Sequence, residues 1–153
     1  MAGPVKAQVS VARREHKAAD PWELFDLALE LEATDPPAAV AAYKQVLAAD
    51  PSMTDAHVNL GRLLQLAGRT PEAVRHYLAT IRAGTTDPTA AFNLGTALEE
   101  LGQWPRALAA YQQAVQIDGC FADAHFNLAR LHDQLGHRAE AIRHLRAYKR
   151  LVE

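Results

Sequence analysis

The sequence predicts an all-α, right-handed solenoid of four helix hairpins, on three observations. The first is a 34-residue period. Asn59, Asn93 and Asn127 recur at that spacing, as do Leu60, Leu94 and Leu128, then Gly61, Gly95 and Ala129, then Gly68, Gly102 and Gly136, then Ala73, Ala107 and Ala141. A fixed period of this length marks stacked units, each burying its apolar face only against its neighbours. The second is helix punctuation at regular places. The third is that no segment alternates with the two-residue strand period over a convincing length.

The elements follow in order. Asp20-Pro21 puts a capping carboxylate before a proline at the first helical position, opening a helix over 21–33. Asp35-Pro36-Pro37 opens 36–49, which Asp50-Pro51 stops. A helix over 54–67 precedes Thr70-Pro71, which opens 71–83 in the manner of the aspartates, with Ala83-Gly84 as its stop. Asp87-Pro88 opens 88–101, and 104–117, 121–135 and 138–152 complete eight helices. The repeats run about 20–51, 52–85, 86–119 and 120–153, a single domain. Residues 1–19 show no period. They carry Lys6, Arg13, Arg14 and Lys17 against Glu15, which reads as a flexible basic tail or linker.

Bulk properties narrow the function. The 153 residues are 49% hydrophobic and 22% charged, with net charge −2, so no global field drives the chain to nucleic acid or membrane. No apolar run reaches the ~18 residues of a spanning helix, and the N-terminus lacks the apolar core of a signal peptide. The single Cys120 cannot form an internal disulfide. A cytoplasmic protein is expected.

In the second unit the pattern reads His57, Leu60, Gly61, Leu64, Ala73, Tyr77. In the third it reads Ala91, Leu94, Gly95, Leu98, Ala107, Tyr111, Ala114, and in the fourth His125, Leu128, Ala129, His132, Ala141, Leu145. The first unit is degenerate: Trp22, Phe25, Asp26, Leu29, then Ala39, Tyr43, Val46, Pro51, with a hairpin loop one residue shorter. This pattern resembles the tetratricopeptide repeat over residues 20–153. Gly61 and Ala73 then sit where the two helices of a hairpin come closest, while Leu64, Leu98, Tyr77 and Tyr111 fill the core.

The resemblance implies that the first helix of each hairpin lines a concave groove. Asn59, Asn93 and Asn127 would form a ladder with rungs about 10 Å apart. Each amide offers a donor and an acceptor. An extended peptide advancing ~3.3 Å per residue would meet a rung about every third residue. A similar ladder holds peptide backbone in the TPR region of O-GlcNAc transferase. Val58, Phe92 and Phe126 precede the ladder residues, and the two phenylalanines are expected to face the groove as apolar anchors without a core role. Arg62 and Arg130 are candidates for a ligand carboxylate, with Asp55 and Asp123 nearby as competing helix-surface partners. The groove holds no lysine, and Val58 stands at a lysine position of the carboxylate clamps that bind chaperone tails, so that specificity is not expected.

The ends differ in charge. Six acids and no Lys or Arg lie between Asp20 and Asp35; five bases and two acids lie between Arg138 and Glu153. Head-to-tail self-association is therefore the alternative to peptide capture, beside simple solvation of polar end faces. In the column of Thr80 and Ala114 the fourth unit has Tyr148. This suggests that the array ends at Glu153, with Arg138, Arg143, Arg146, Lys149 and Arg150 solvating the outer side of the last helix.

Seven histidines form no HExxH or CxxC motif, and no cofactor or metal is expected. There is no Walker A, G-x-G-x-x-G or G-x-S-x-G, and the adjacent Glu99 and Glu100 point apart on a helix, so an enzyme is not expected. The expected function is a protein-interaction scaffold. A weaker likeness is to the TPR halves of bacterial transcriptional regulators, where residues 1–19 would be a linker.

Overall fold

The structure, a computed structural model, describes residues 19–153. Residues 1–18, nearly all of the expected basic tail, lie outside the described residues. The described chain is eight helices without a strand: α1 (Pro21–Glu32), α2 (Pro36–Ala49), α3 (Thr54–Leu66), α4 (Thr70–Arg82), α5 (Thr89–Glu100), α6 (Trp104–Ile117), α7 (Ala122–Gln134) and α8 (Arg138–Val152). They pack as the hairpins α1–α2, α3–α4, α5–α6 and α7–α8, and the second helix of each hairpin packs on the first helix of the next.

The punctuation acts mostly as the sequence suggests. The Asp20 carboxylate accepts from Trp22 N at 3.0 Å and the Asp35 carboxylate from Ala38 N at 3.1 Å. Two expectations need correction. Asp87 accepts from Thr89 N at 2.8 Å, so α5 starts at Thr89 with Pro88 as its cap residue. Thr70 makes no cap bond: its hydroxyl donates instead to Glu100 Oε2 at 3.0 Å, in the next repeat. Glycines 68, 102 and 136, with φ between +69° and +77°, turn the chain out of α3, α5 and α7 through the left-handed region that side chains with a Cβ avoid.

The core is a row of tyrosines. Tyr43, Tyr77 and Tyr111 are fully buried. A Cβ built on Gly61 would lie 2.5 Å from the Tyr77 ring, and one on Gly95 would lie 2.5 Å from Tyr111. Glycine in this column is therefore a steric requirement of the tyrosine opposite it. The fourth hairpin shows the converse: Ala129 replaces glycine where Leu145 replaces tyrosine.

The tyrosines also correct the register of the first repeat. Tyr43 donates to Glu32 eleven residues back, whereas Tyr77 donates to Gln65 twelve residues back. The one-residue-shorter loop thus aligns each residue of α1 with the residue 33 positions later. Ala28, fully buried, is the counterpart of Gly61, and Asp26 falls in the asparagine column. The match of Asp26 to Gly61 from the aromatic Trp22 is displaced by two residues. The small residue opposite the tyrosine, not the aromatic, fixes the alignment.

Replacing Gly95 by Ala should destabilise the protein by about 1–3 kcal/mol through overpacking against Tyr111, seen as a Tm drop of roughly 2–4 °C per kcal/mol. Adding Tyr111→Leu, the pairing already present at Ala129 and Leu145, should relieve part of that loss. If the double variant melts at or below the sum of the two single losses, the close approach is not what the glycine serves.

Candidate functional site

At each junction between hairpins the tyrosine hydroxyl reaches the face lined by the first helices, where it meets a repeating polar rung. In the first rung Tyr43 Oη donates to Glu32 Oε1 at 2.6 Å and accepts from Asn59 Nδ2 at 3.1 Å, and Arg62 forms an ion pair with Glu32. A phenol has one proton, and it goes to the carboxylate. The asparagine must then present its N–H to the oxygen, which fixes the amide orientation and leaves Asn59 Oδ1 for another donor. Burial first, then Glu32, pushes the Tyr43 phenol well above its ordinary range, so it stays protonated.

The second rung has no ion pair. Tyr77 donates to Gln65 Oε1 at 3.0 Å, and Gln65 Nε2 reaches Thr96 Oγ1 at 3.3 Å and Glu100 Oε1 at 2.6 Å. The third is charged again. Arg130 Nη2 lies 2.6 and 2.7 Å from the two oxygens of Glu99, beside Tyr111. The buried Tyr111 hydroxyl has no aligned hydrogen bond, and burial, then Glu99, drives its pKa upward. Glu99 and Glu100 thus serve opposite neighbours, one the following repeat and one the preceding.

The candidate residues fall into this frame unevenly. Asn59 and Arg62 are joined through Tyr43 and Glu32; Asn127 and Arg130 flank Tyr111. The expected competition from Asp55 and Asp123 is corrected: both arginines pair instead with a glutamate of the preceding repeat. Asn93 is half-buried, and no hydrogen bond of its side chain is found among the described residues. Phe92 is also corrected. It meets Phe121 edge-on at 5.2 Å and Tyr111 at 5.7 Å, so it has a packing role. Phe126 stays 45% exposed, resting on Tyr148 at 5.3 Å, and borders a groove of about 430 Å3 on the α7–α8 end face.

Two features escaped the sequence reading. Leu66 is 76% exposed and lines a groove of about 470 Å3 with Pro36, Pro37, Val40 and Leu63. Its column otherwise holds Glu100 and Gln134, so a leucine there was a readable outlier. The histidines form pairs within hairpins. Nδ1 of His57 lies 3.0 Å from Nδ1 of His76, and Nδ1 of His125 lies 3.0 Å from Nδ1 of His144. His57 Nε2 also meets the Pro51 carbonyl and His125 Nε2 the Gly119 carbonyl, so these Nε2 atoms carry the proton and the Nδ1 atoms accept from the partner ring. Burial, followed by the facing histidine, lowers His76 and His144 to about 4. Among the described residues no cluster of three or more His, Cys, Asp or Glu could hold a metal ion, and no helix is long and apolar enough to cross a membrane.

Family models described as "Tetratricopeptide repeat" match residues 28–88 and 122–151, and one described as "TPR repeat" matches 97–136. No curated protein matches the chain. Among solved structures, a MamA protein is 25% identical, with a TM-score of 0.79 over 86% of this chain and 72% of that one. YrrB, described as a TPR protein with an unusual peptide-binding site, is 25% identical, with a TM-score of 0.77 over 87% of this chain and 69% of that one. MamA from Desulfovibrio magneticus RS-1 shares the fold at 24% identity, with a TM-score of 0.77 over 86% and 75%.

The histidine pairs make stability depend on pH. In the unfolded chain His76 and His144 return to their ordinary 6.5, so between about 6.5 and 4 the unfolded state holds more protons. Their contribution is complete above pH 6.5 and is lost as pH falls toward 4. The Tm of the wild type should drop across that window, and a His76→Leu, His144→Leu variant should drop less. Parallel Tm-against-pH curves would show that the pairs are not the acid-labile element.

Proposed function

We propose that this chain, which belongs to the tetratricopeptide-repeat family, is a non-enzymatic interaction scaffold that captures an extended segment of a protein partner along its asparagine column. The observation that carries the reading is the state of the ladder itself. Asn59 uses one of its two amide N–H groups inside the fold, and the Asn93 side chain makes no hydrogen bond among the described residues. The ladder therefore has capacity for a peptide backbone, an acceptor and one N–H at Asn59 and a full amide at Asn93. The description of YrrB as peptide-binding supports the same use of the fold.

Arg62 and Arg130 serve this reading as walls more than as charge clamps. Each is neutralised by a glutamate, so a ligand carboxylate would have to displace an ion pair already formed. Apolar anchorage comes from the groove at Leu66 and Val40 and from the exposed Phe126, and Phe92 contributes only its outer edge. Backbone hydrogen bonds contribute ~0.5–1.5 kcal/mol each. Ordering an extended peptide offsets much of that sum, so affinities in the micromolar range, near −8 kcal/mol, are expected.

Asn93→Ala tests the ladder with the least structural cost, because no internal bond is lost. Peptides selected from a displayed random library should bind this variant roughly 2–10-fold more weakly than wild type, at an unchanged Tm. Asn59→Ala should lower both affinity and Tm, since it also deprives Tyr43 of a donor. Equal affinity of the Asn93→Ala variant and wild type for every selected peptide would reject the ladder as the binding site.

A further inference from the structure

At the three internal junctions one stripe of each first helix is covered by the hairpin before it. The stripe is Ala56, Asn59, Leu60 and Leu63 on α3, Ala90, Asn93, Leu94 and Ala97 on α5, and Ala124, Asn127, Leu128 and Leu131 on α7; its alanines and leucines are all buried. The same stripe on α1, 33 residues before that of α3, is Glu23, Asp26, Leu27 and Glu30, and it is exposed. Two apolar members have become glutamates, and the leucine remains.

The receiving surface has changed to match. At internal junctions it is built on Pro36, Val40, Tyr43 and Leu47 of α2, and on the same columns of α4 and α6, ending in Ile81 and Val115. On α8 those columns hold Arg138, Ile142, Leu145 and Lys149, with Ile142 and Leu145 exposed. The outer side of α8 is thus not solely the solvated basic surface expected from sequence: an apolar centre lies between two cations. Internal contacts fix which columns meet. Leu63 lines one groove with Pro36, Pro37 and Val40, and Val115 clusters with Ala124. Carried to the two end faces, that register sets Glu30 against Arg138, Glu23 against Lys149, and Leu27 against the Ile142–Leu145 centre. The polar rung changes as well. Its tyrosine column becomes Leu145 and its arginine column becomes Leu29, so two leucines meet where internal junctions place a tyrosine and a basic or hydroxyl side chain.

We infer that the α1 face of one copy docks on the α7–α8 end face of another, continuing the repeat stack head to tail with two ion pairs flanking a leucine and isoleucine centre. The contact is heterologous, so it builds rings or open chains. One position works against it: Asp26, in the asparagine column, approaches Asp133 of the next copy.

Sedimentation or light scattering on the full chain decides the matter. Wild type should gain mass with concentration at low salt and return toward monomer as salt rises from roughly 0.05 to 0.5 M, weakening about tenfold or more as the ion pairs are screened. A Glu23→Lys, Glu30→Arg variant and an Arg138→Glu, Lys149→Glu variant should each remain monomeric, with circular dichroism melts like wild type. An equimolar mixture of the two should assemble again, because each reversed face meets its reversed complement. Asp26→Asn should tighten assembly. A wild type that stays monomeric up to about 1 mM, a reversal that leaves assembly unchanged, or a mixture that stays monomeric would overturn the inference. Should either reversal fail to fold, Leu27→Asp and Ile142→Asp replace it, and both must abolish assembly.

Discussion

The fold depends on what one tyrosine in each of the first three hairpins does at its two ends. The ring of Tyr77 occupies the space left by the missing Cβ of Gly61, and so sets the distance between α3 and α4. The hydroxyls of Tyr43 and Tyr77 project into the polar rung shared with the next hairpin. Packing within a unit and alignment between units are therefore one constraint. A change to the ring loosens the hairpin and at the same time removes the atom that Asn59 and Glu32 are organised around. This is how a quasi-one-dimensional stack, whose units touch only their neighbours, keeps a common register along its length.

The period was legible because steric requirements repeat. Close helix approach demands Gly or Ala at fixed positions, and those columns place all eight helices to within a residue or so. What stayed hidden was pairing across the period. That Glu32 and Glu99 answer Arg62 and Arg130 cannot be read from spacing on one helix surface, because the partners lie about thirty residues apart on different hairpins. Reading each helix alone suggested Asp55 and Asp123 instead. The same limit misplaced Phe92: its column lies beside the groove, but the next repeat supplies Phe121 to cover it. The histidine pairs carried a signal, since the 19-residue spacing from His57 to His76 recurs from His125 to His144.

The described chain has two kinds of surface. Along its length Arg62 and Arg130 are each paired with a glutamate of the preceding repeat. At its ends the matching is interrupted, and unpaired acids and bases collect on opposite faces. The proposed peptide capture uses the length of the array and the proposed assembly its ends, with Phe126 on the α7–α8 end face common to both.

The orientation of the Asn59 amide has a chemical consequence for any bound strand. Tyr43 gives its only proton to Glu32, so Asn59 spends one of its two amide N–H groups on the phenol and keeps Oδ1 and the second N–H outside the rung. That position therefore keeps both an acceptor and a donor while the rung stays intact. Under the proposed capture, a strand with proline or an N-methylated residue opposite Oδ1 has no N–H to give there and would bind more weakly than one with a secondary amide. The rung would then discriminate through the N–H groups a strand brings as well as through its side chains.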